Sequence, residues 1–251
     1  DYLTDELTNA ATAFIDRQVP SDRPFFLYLA YNAPHTPLQA TEKYLSRFPG
    51  IEDENRRTYA AMVSAVDDGV GRVLETLRRH GIEEETIVVF LSDNGGATNN
   101  ASNNTPLRGY KGDLFEGGIR VPFAMQWKGT VPPGRDFDHP VLSLDILGTI
   151  AALAKAEIPA ERPLDGVNLV PFLTGKAEGP PHRTLFWRMP NQNAMAIRAG
   201  SIKLMAVVSK GVPNTRCSTF PGISGKATTR PTPPRRSFSS SSPNGNAGTP
   251  N

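Results

Sequence analysis

The chain has 251 residues, with 27 basic and 25 acidic side chains, a formal net charge of +2 and a single cysteine, Cys217. This composition excludes an intramolecular disulfide and a cysteine-based zinc site, and it argues against a protein that binds nucleic acid through an overall basic field. No apolar run approaches the length of a membrane span. We therefore expect no membrane as a partner, and the balanced charge leads us to expect no nucleic acid.

The charge divides unevenly along the chain. Residues 1–210 hold 22 basic and all 25 acidic side chains, whereas residues 211–251 hold five basic and no acidic side chains. The second segment is poor in apolar residues, so it cannot bury enough surface to offset the entropy lost on ordering. The sequence therefore predicts a globular body followed by a disordered segment, 211–251.

The first half of the body alternates between helical and strand-like patterns. An apolar stripe after Thr4 predicts a helix, and the continuous apolar run 25–31 predicts a strand buried on both faces. Helical spacing continues from about residue 57 to 79 and stops before Gly81. Because residues 86–91 predict a second buried strand, this order of elements suggests a parallel crossover unit.

The second half of the body begins with a long polar loop that extends to residue 120, and loops of this length are usually functional or disordered. Residues 121–127 predict a strand and residues 145–156 a helix. The pattern then changes to short strand-like segments separated by turn residues, which predict an antiparallel meander: 184–189, 194–198 and 202–208.

Three polar patches follow predicted strands, where ligands bind in open α/β sheets. His35 lies between two prolines, and a histidine in a stiff loop suits proton transfer or an anion contact. Asp93 and Asn94 offer two hard oxygens for Ca²⁺ or Mg²⁺. Lys111, in the glycine-rich segment 107–122, can reach a bound oxyanion. The alternatives are a surface histidine, a polar turn and a solvated hairpin.

Taken in order, the three patches resemble the type I sulfatases, the formylglycine-dependent, arylsulfatase-like enzymes of the alkaline phosphatase superfamily. The resemblance covers about residues 1–208. It is carried by the motifs Phe-Leu-Tyr-Leu-Ala-Tyr-Asn-Ala-Pro-His-Thr-Pro, Ser-Asp-Asn-Gly-Gly and Arg-Gly-Tyr-Lys-Gly-Asp-Leu-Phe-Glu-Gly-Gly-Ile-Arg-Val-Pro.

The resemblance implies a fold of the α/β class, an alkaline-phosphatase-like sandwich of helices around a mostly parallel sheet. That sheet is expected to be incomplete here, with part of a small C-terminal antiparallel sheet added. Residues 1–178 then correspond to the C-terminal half of the catalytic domain and residues 179–210 to the partial small sheet. We expect the chain to be a fragment, and the segment 211–251 to be a frameshifted tail.

The resemblance also assigns roles to individual residues. It implies that Asp93 and Asn94 belong to a Ca²⁺ site, that Lys111 and His35 contact the sulfate ester, and that His35 protonates the leaving alcohol. Arg108 is assigned to substrate binding, with loop ordering as its alternative role. The implied substrate is a sulfated small molecule or a sulfated glycan, and the implied compartment is periplasmic, secreted or lysosomal.

The sequence departs from the family at the nucleophile. Formylglycine is made from the first residue of a Cys/Ser-x-Pro-x-Arg motif, which this chain lacks, and the residues after Cys217 do not match it. We therefore expect the chain to be inactive alone. The alternatives are a related metal-dependent phosphoester or phosphonate monoester hydrolase, and a non-catalytic product of a broken gene.

A frameshift near residues 212–215 would explain the basic tail, because a shifted reading frame can restore the acidic continuation, Leu-Phe-Asp-Leu, that is usual in the family. A genuine flexible tail that binds anionic polymers is the alternative. We predict that resequencing the gene will show an inserted or deleted nucleotide in this region. An intact in-frame run of codons would contradict the frameshift.

Overall fold

The computed structural model describes residues 1–21, 23–209 and 212–219 of an α/β protein. Its helices are α1 Leu3–Gln18, α2 Glu42–Leu45, α3 Glu54–Arg79, α4 Glu116–Ile119, α5 Leu144–Leu153 and α6 Val170–Leu173. Its strands are β1 Val88–Leu91, β2 Phe123–Gln126, β3 Thr184–Met189, β4 Ala194–Ala199, β5 Ile202–Ser209 and β6 Val212–Thr219. Over these residues, no helix is long and apolar enough to span a membrane.

Helices α1 and α3 pack against each other and form one layer of the fold. Helix α3 begins where the carboxylate of Asp53 accepts the backbone N–H of Arg56 at 2.6 Å, a typical N-terminal cap. It ends before Gly81, whose φ of +71° lies in the left-handed region that favours glycine. Both predicted helices are therefore confirmed, with α3 slightly longer than its apolar spacing indicates.

Strands β1 and β2 pair antiparallel, in a register that runs from Val88↔Gln126 to Leu91↔Phe123. Beside this pair of strands, the carboxylate of Glu83 accepts a hydrogen bond of 2.8 Å from the ammonium of Lys128. The ammonium of Lys128 lowers the pKa of the Glu83 carboxyl. This ion pair connects the loop after α3 to the residues that follow β2.

The segment 25–31 forms no strand, so its prediction as a strand buried on both faces is wrong. Its exposure alternates from residue to residue, with Phe26 68% and Tyr28 78% exposed. A strand needs a hydrogen-bonded neighbour, and the described ranges provide none for this segment. The predicted parallel crossover is therefore not formed, and both sheets in those ranges are antiparallel.

The small sheet has the strand order β3–β4–β5–β6, with every pair antiparallel, and it confirms the predicted meander. Strand β6 extends the sheet beyond residue 210, in register from Ile202↔Thr219 to Ser209↔Val212. Disorder was therefore the wrong expectation for residues 212–219, because backbone pairing with β5 does not depend on apolar side chains. The rest of the predicted disordered tail, 220–251, lies outside the described residues.

Asp145 ties three segments together from the start of α5. Its side chain is fully buried, and it accepts the backbone N–H of Leu142 at 2.7 Å and that of Val167 at 2.9 Å. It also lies 2.8 Å from Nε2 of His182, just before β3. The sequence alone does not reveal this contact, because Asp145 and His182 lie far apart in the chain.

We predict that Asp145→Ala will lower the free energy of unfolding by about 3 kcal/mol or more, because two buried backbone N–H groups and His182 lose their acceptor. Urea unfolding measures this loss. The control is Asp165→Ala, which removes an exposed carboxylate in the neighbouring loop. Equal, small losses of unfolding free energy in the two variants would show that the contacts of Asp145 do not stabilise the fold.

Candidate active site

A cavity of about 4000 Å³ separates the α1–α3 layer from the segment around α5. His35, Asp93, Asn94 and Lys111 all line this cavity. Four of the five predicted site residues therefore border the same cavity, although its wall extends over much of the body. That wall is mixed, with apolar side chains from the segment 25–31, from α3 and from β1, and polar and charged side chains from the loops.

His35 is exposed to the cavity, and its ring is oriented by its own loop. Nδ1 lies 2.7 Å from the carbonyl oxygen of Thr36. Because a carbonyl only accepts, Nδ1 must carry a proton, and Nε2 is left to face the cavity. In the neutral ring Nε2 is therefore an acceptor, and it donates a proton only when the ring is an imidazolium.

Asp93 and Asn94 lie at the carboxyl end of β1, as predicted. The side-chain nitrogen of Asn94 donates to the carbonyl oxygen of Gly95 at 3.0 Å, which fixes the amide orientation and leaves its oxygen available. The hydroxyl of Ser92 donates to the Asn94 carbonyl at 2.8 Å and tightens the turn. The turn thus offers one carboxylate and one amide oxygen, both hard ligands.

The lysine loop, residues 107–122, lies directly against this turn through backbone hydrogen bonds. The N–H of Lys111 donates to the carbonyl of Gly96 at 3.0 Å, and the N–H of Gly95 donates to the carbonyl of Gly118 at 3.0 Å. A side chain on Gly95 would overlap the carbonyl of Gly117, so only glycine allows this approach. The exposed Lys111 side chain makes no ion pair within the described ranges.

Asn104 joins the turn and the lysine loop, a role that no motif in the sequence indicates. Its side-chain oxygen accepts the N–H of Gly96 at 3.0 Å, while its nitrogen donates to the carbonyls of Gly96 and Gly109, each at 3.0 Å. One amide thus satisfies three backbone groups on two loops. A weaker contact from Asn100 to the Pro34 carbonyl, at 3.5 Å, connects the same region to the histidine loop.

Comparison with known proteins identifies the family of the chain. The family model described as Sulfatase matches residues 1–156, which is most of the described body. The chain belongs to the sulfatase family.

Curated sulfatases resemble the chain over about three quarters of its length. It is 39% identical over 189 residues to the uncharacterized sulfatase YdeN of Escherichia coli strain K12, covering 74% of this chain and 33% of that protein. It is 36% identical over 196 residues to the steryl-sulfatase of Mus musculus, covering 74% of this chain and 30% of that protein. The chain therefore spans about a third of the length of these relatives.

The solved structures include Ps i-CgsB in complex with k-i-k-neocarrahexaose. That structure superposes with a TM-score of 0.80 at 41% sequence identity, and the match covers 86% of this chain and 48% of Ps i-CgsB. Because the identity is high and the match covers most of the chain, it confirms the predicted α/β fold of alkaline-phosphatase-like type. About half of the Ps i-CgsB chain lies outside the match.

Two oxygen donors in the turn after β1 are candidate ligands for a metal ion. Asp93 and Asn94 fit the preference of Ca²⁺ for hard oxygen ligands, but that ion takes about six to eight of them. In the part of the chain that the structure describes, no group of three or more histidine, cysteine, aspartate or glutamate side chains could hold a metal. These two residues thus fit a part of a calcium site.

Arg108 lies apart from the cavity, unlike the other predicted site residues. Its guanidinium stacks on the ring of Phe115, 4.1 Å from the centroid. Its backbone carbonyl accepts the N–H of Gly117 at 2.7 Å, which closes the lysine loop on itself. These contacts favour loop ordering, the alternative role of Arg108, over substrate binding.

We predict that Asn104→Asp will loosen the lysine loop, because a carboxylate cannot donate to the two carbonyls that the amide serves. Losing two hydrogen bonds at about 1 kcal/mol each corresponds to faster opening by about 30-fold. Hydrogen–deuterium exchange at the amides of Gly95 and Lys111 measures this change.

The control is Asn103→Asp, one residue earlier. The Asn103 side-chain oxygen accepts the N–H of Thr105 at 2.8 Å, and an aspartate keeps that acceptor. We expect little change in exchange for this variant. Equal acceleration in the two variants would mean that added charge, rather than the lost amide donor, loosens the loop.

Proposed function

We propose that this chain forms one side of a sulfatase site, the side that binds the sulfate ester and protonates the leaving alcohol. One observation carries the proposal: backbone hydrogen bonds join the turn that holds Asp93 and Asn94 to the loop that holds Lys111, beside the cavity that His35 also lines. We assign His35 and Lys111 to catalysis and substrate binding, and Asp93 with Asn94 to a part of a Ca²⁺ site.

The chemistry of sulfate ester hydrolysis matches these residue types. A sulfate ester is an anion, and its charge shifts toward the bridging oxygen as the S–O bond breaks. Among the described residues Lys111 has no ion-pair partner that competes for it, so its ammonium is available to the non-bridging oxygens. A bound Ca²⁺ would supply further positive charge at the same oxygens.

His35 serves as the acid that neutralises the departing alkoxide. The hydrogen bond from Nδ1 to Thr36 fixes the ring and leaves Nε2 available. Only the imidazolium carries a proton on Nε2, so the protonated ring is the active form in this step.

The nucleophile is the part of the site that this chain does not supply. The sequence contains no Cys/Ser-x-Pro-x-Arg motif, and the exposed Cys217 lies on β6 rather than at the cavity. We propose that the formylglycine nucleophile and the remaining calcium ligands come from the part of the sulfatases that this chain does not span. The chain is then a fragment and is inactive alone.

The proposed substrate is a sulfate monoester, of a small molecule or of a glycan. The complex of Ps i-CgsB with k-i-k-neocarrahexaose supports an oligosaccharide as a candidate. Phosphate and phosphonate monoesters belong in the same substrate panel, because Lys111 and a metal ion would also bind those anions. The relative rates on the panel distinguish the sulfatase from a related phosphoester or phosphonate monoester hydrolase.

We predict that the isolated chain will not hydrolyse 4-nitrophenyl sulfate, whereas a chimera will. In the chimera, residues 1–209 replace the matching segment of Ps i-CgsB. Within it, Lys111→Ala and His35→Ala should each lower kcat by about 10²- to 10⁴-fold. Because 4-nitrophenolate leaves without protonation, the His35→Ala loss should be larger for an alkyl sulfate. Steady-state kinetics on both esters measure these effects.

The matched control is Lys176→Ala, which removes an exposed lysine whose side chain does not line the cavity. Turnover by the isolated chain would show that its own residues supply a nucleophile. A folded but inactive chimera would favour the non-catalytic product of a broken gene. Equal His35→Ala losses on the two esters would remove the acid role from His35.

A further inference from the structure

The small sheet packs its inner face directly on the lysine loop. Leu114 of the loop is buried against Ala194, Ala196 and Met205 of the sheet. Trp187 of β3 packs against the same cluster. The loop that presents Lys111 to the cavity therefore rests, on its other side, on a separate structural unit.

A buried ionic cluster strengthens this contact. Lys203 on β5 is 1% exposed, and its ammonium donates to the carbonyl of Leu114 at 2.6 Å and to the carboxylate of Glu116 at 2.9 Å. The guanidinium of Arg198 lies 3.5 Å from the other oxygen of Glu116. The ammonium of Lys203 also lies 5.1 Å from the ring centroid of Trp187.

The register of the sheet explains why Glu116 is needed there. Arg198 and Lys203 are directly opposite each other on β4 and β5. Two like charges in this position repel, and buried lysines require a partner. The carboxylate of Glu116 between them makes this pairing favourable, so the inner face of the sheet is specific for the lysine loop.

A second contact reaches the neighbour of Lys111 itself. Gln192, in the turn between β3 and β4, donates its side-chain N–H to the carbonyl of Gly112 at 2.9 Å. On the opposite side, the N–H of Lys111 donates to Gly96. The backbone around Lys111 is thus held between the metal-binding turn and the small sheet.

We propose that Gln192 is a positioning residue for Lys111, with Lys203 and Glu116 as the buried anchor that keeps the sheet in place. A lysine side chain is flexible, so the position of its backbone sets where its ammonium can reach. The small sheet then tunes oxyanion binding without touching the anion. The inference rests on the proposed assignment of Lys111 to the sulfate ester.

The test uses the full 251-residue chain and the variant Gln192→Met, which keeps the length of the side chain and removes its donor. Asn191→Ala, in the same turn, is the matched control. The first readout is hydrogen–deuterium exchange of the lysine loop. The second is the rate at which acetic anhydride modifies Lys111 while sulfate replaces chloride at constant ionic strength, so that screening does not change.

In the Gln192→Met variant we expect the backbone amides around Gly112 to exchange hydrogen several-fold faster. We also expect this variant to need at least threefold more sulfate to halve the rate of Lys111 acetylation. The thermal midpoint and the exchange of α3 should match those of Asn191→Ala. Unchanged exchange and unchanged protection would overturn the inference. If sulfate fails to protect Lys111 in the unmodified chain, the proposed role of Lys111 fails, and the exchange result alone decides whether Gln192 positions the loop.

The anchor is tested with Lys203→Met and, separately, with Glu116→Gln. Lys203→Met leaves Glu116 beside Arg198, whereas Glu116→Gln leaves two buried cations without their shared carboxylate, so Glu116→Gln should unfold at the lower urea concentration. In both variants we expect weaker protection of Lys111 by sulfate. Protection equal to that of the unmodified chain would overturn the anchoring role.

Discussion

The close backbone contact between the turn after β1 and the lysine loop is the constraint on which the site depends. Gly95 and Lys111 each donate a backbone hydrogen bond across this contact, and the absence of a side chain on Gly95 allows it. The contact holds the turn that carries the hard oxygens of Asp93 and Asn94 next to the loop that carries the ammonium of Lys111. An insertion or a larger residue at Gly95 would separate them without altering any side chain that reacts.

This contact cannot be stable alone. Hydrogen bonds contribute about 1 kcal/mol each, whereas ordering a residue costs about 1–2 kcal/mol in backbone entropy. The lysine loop must therefore gain stability from burial and from additional partners. Asn104 bonds to it from one side, and Leu114 with Glu116 fixes it to the small sheet on the other. The position of the lysine loop thus depends on a unit that contributes none of the candidate site residues.

Local sequence patterns predicted the elements that form from neighbouring residues, namely helices and tight antiparallel turns. The helical spacing and Gly81 located α3, and short strand-like segments separated by turn residues located the small sheet. The segment 25–31 was misjudged because its apolar run indicates burial, while a strand requires a partner that periodicity cannot show. Asn104 was missed because its role depends on folding back to Gly96. Lys203 was missed as well, because its partner Glu116 is distant in sequence and a lysine in a strand usually faces solvent.

The size and lining of the cavity indicate whether it is suited to a ligand or to contact with more protein. Ligand pockets have volumes of about 300–1000 Å³, and this cavity measures about 4000 Å³. Protein interiors are close-packed, and a two-stranded sheet such as β1–β2 is marginal alone. The apolar part of the wall is therefore suited to contact with more protein, whereas the polar part beside Asp93 and Lys111 is suited to an anion. A filled core would exclude water from Lys111 and His35, and in that lower dielectric their charges would act more strongly on a bound anion.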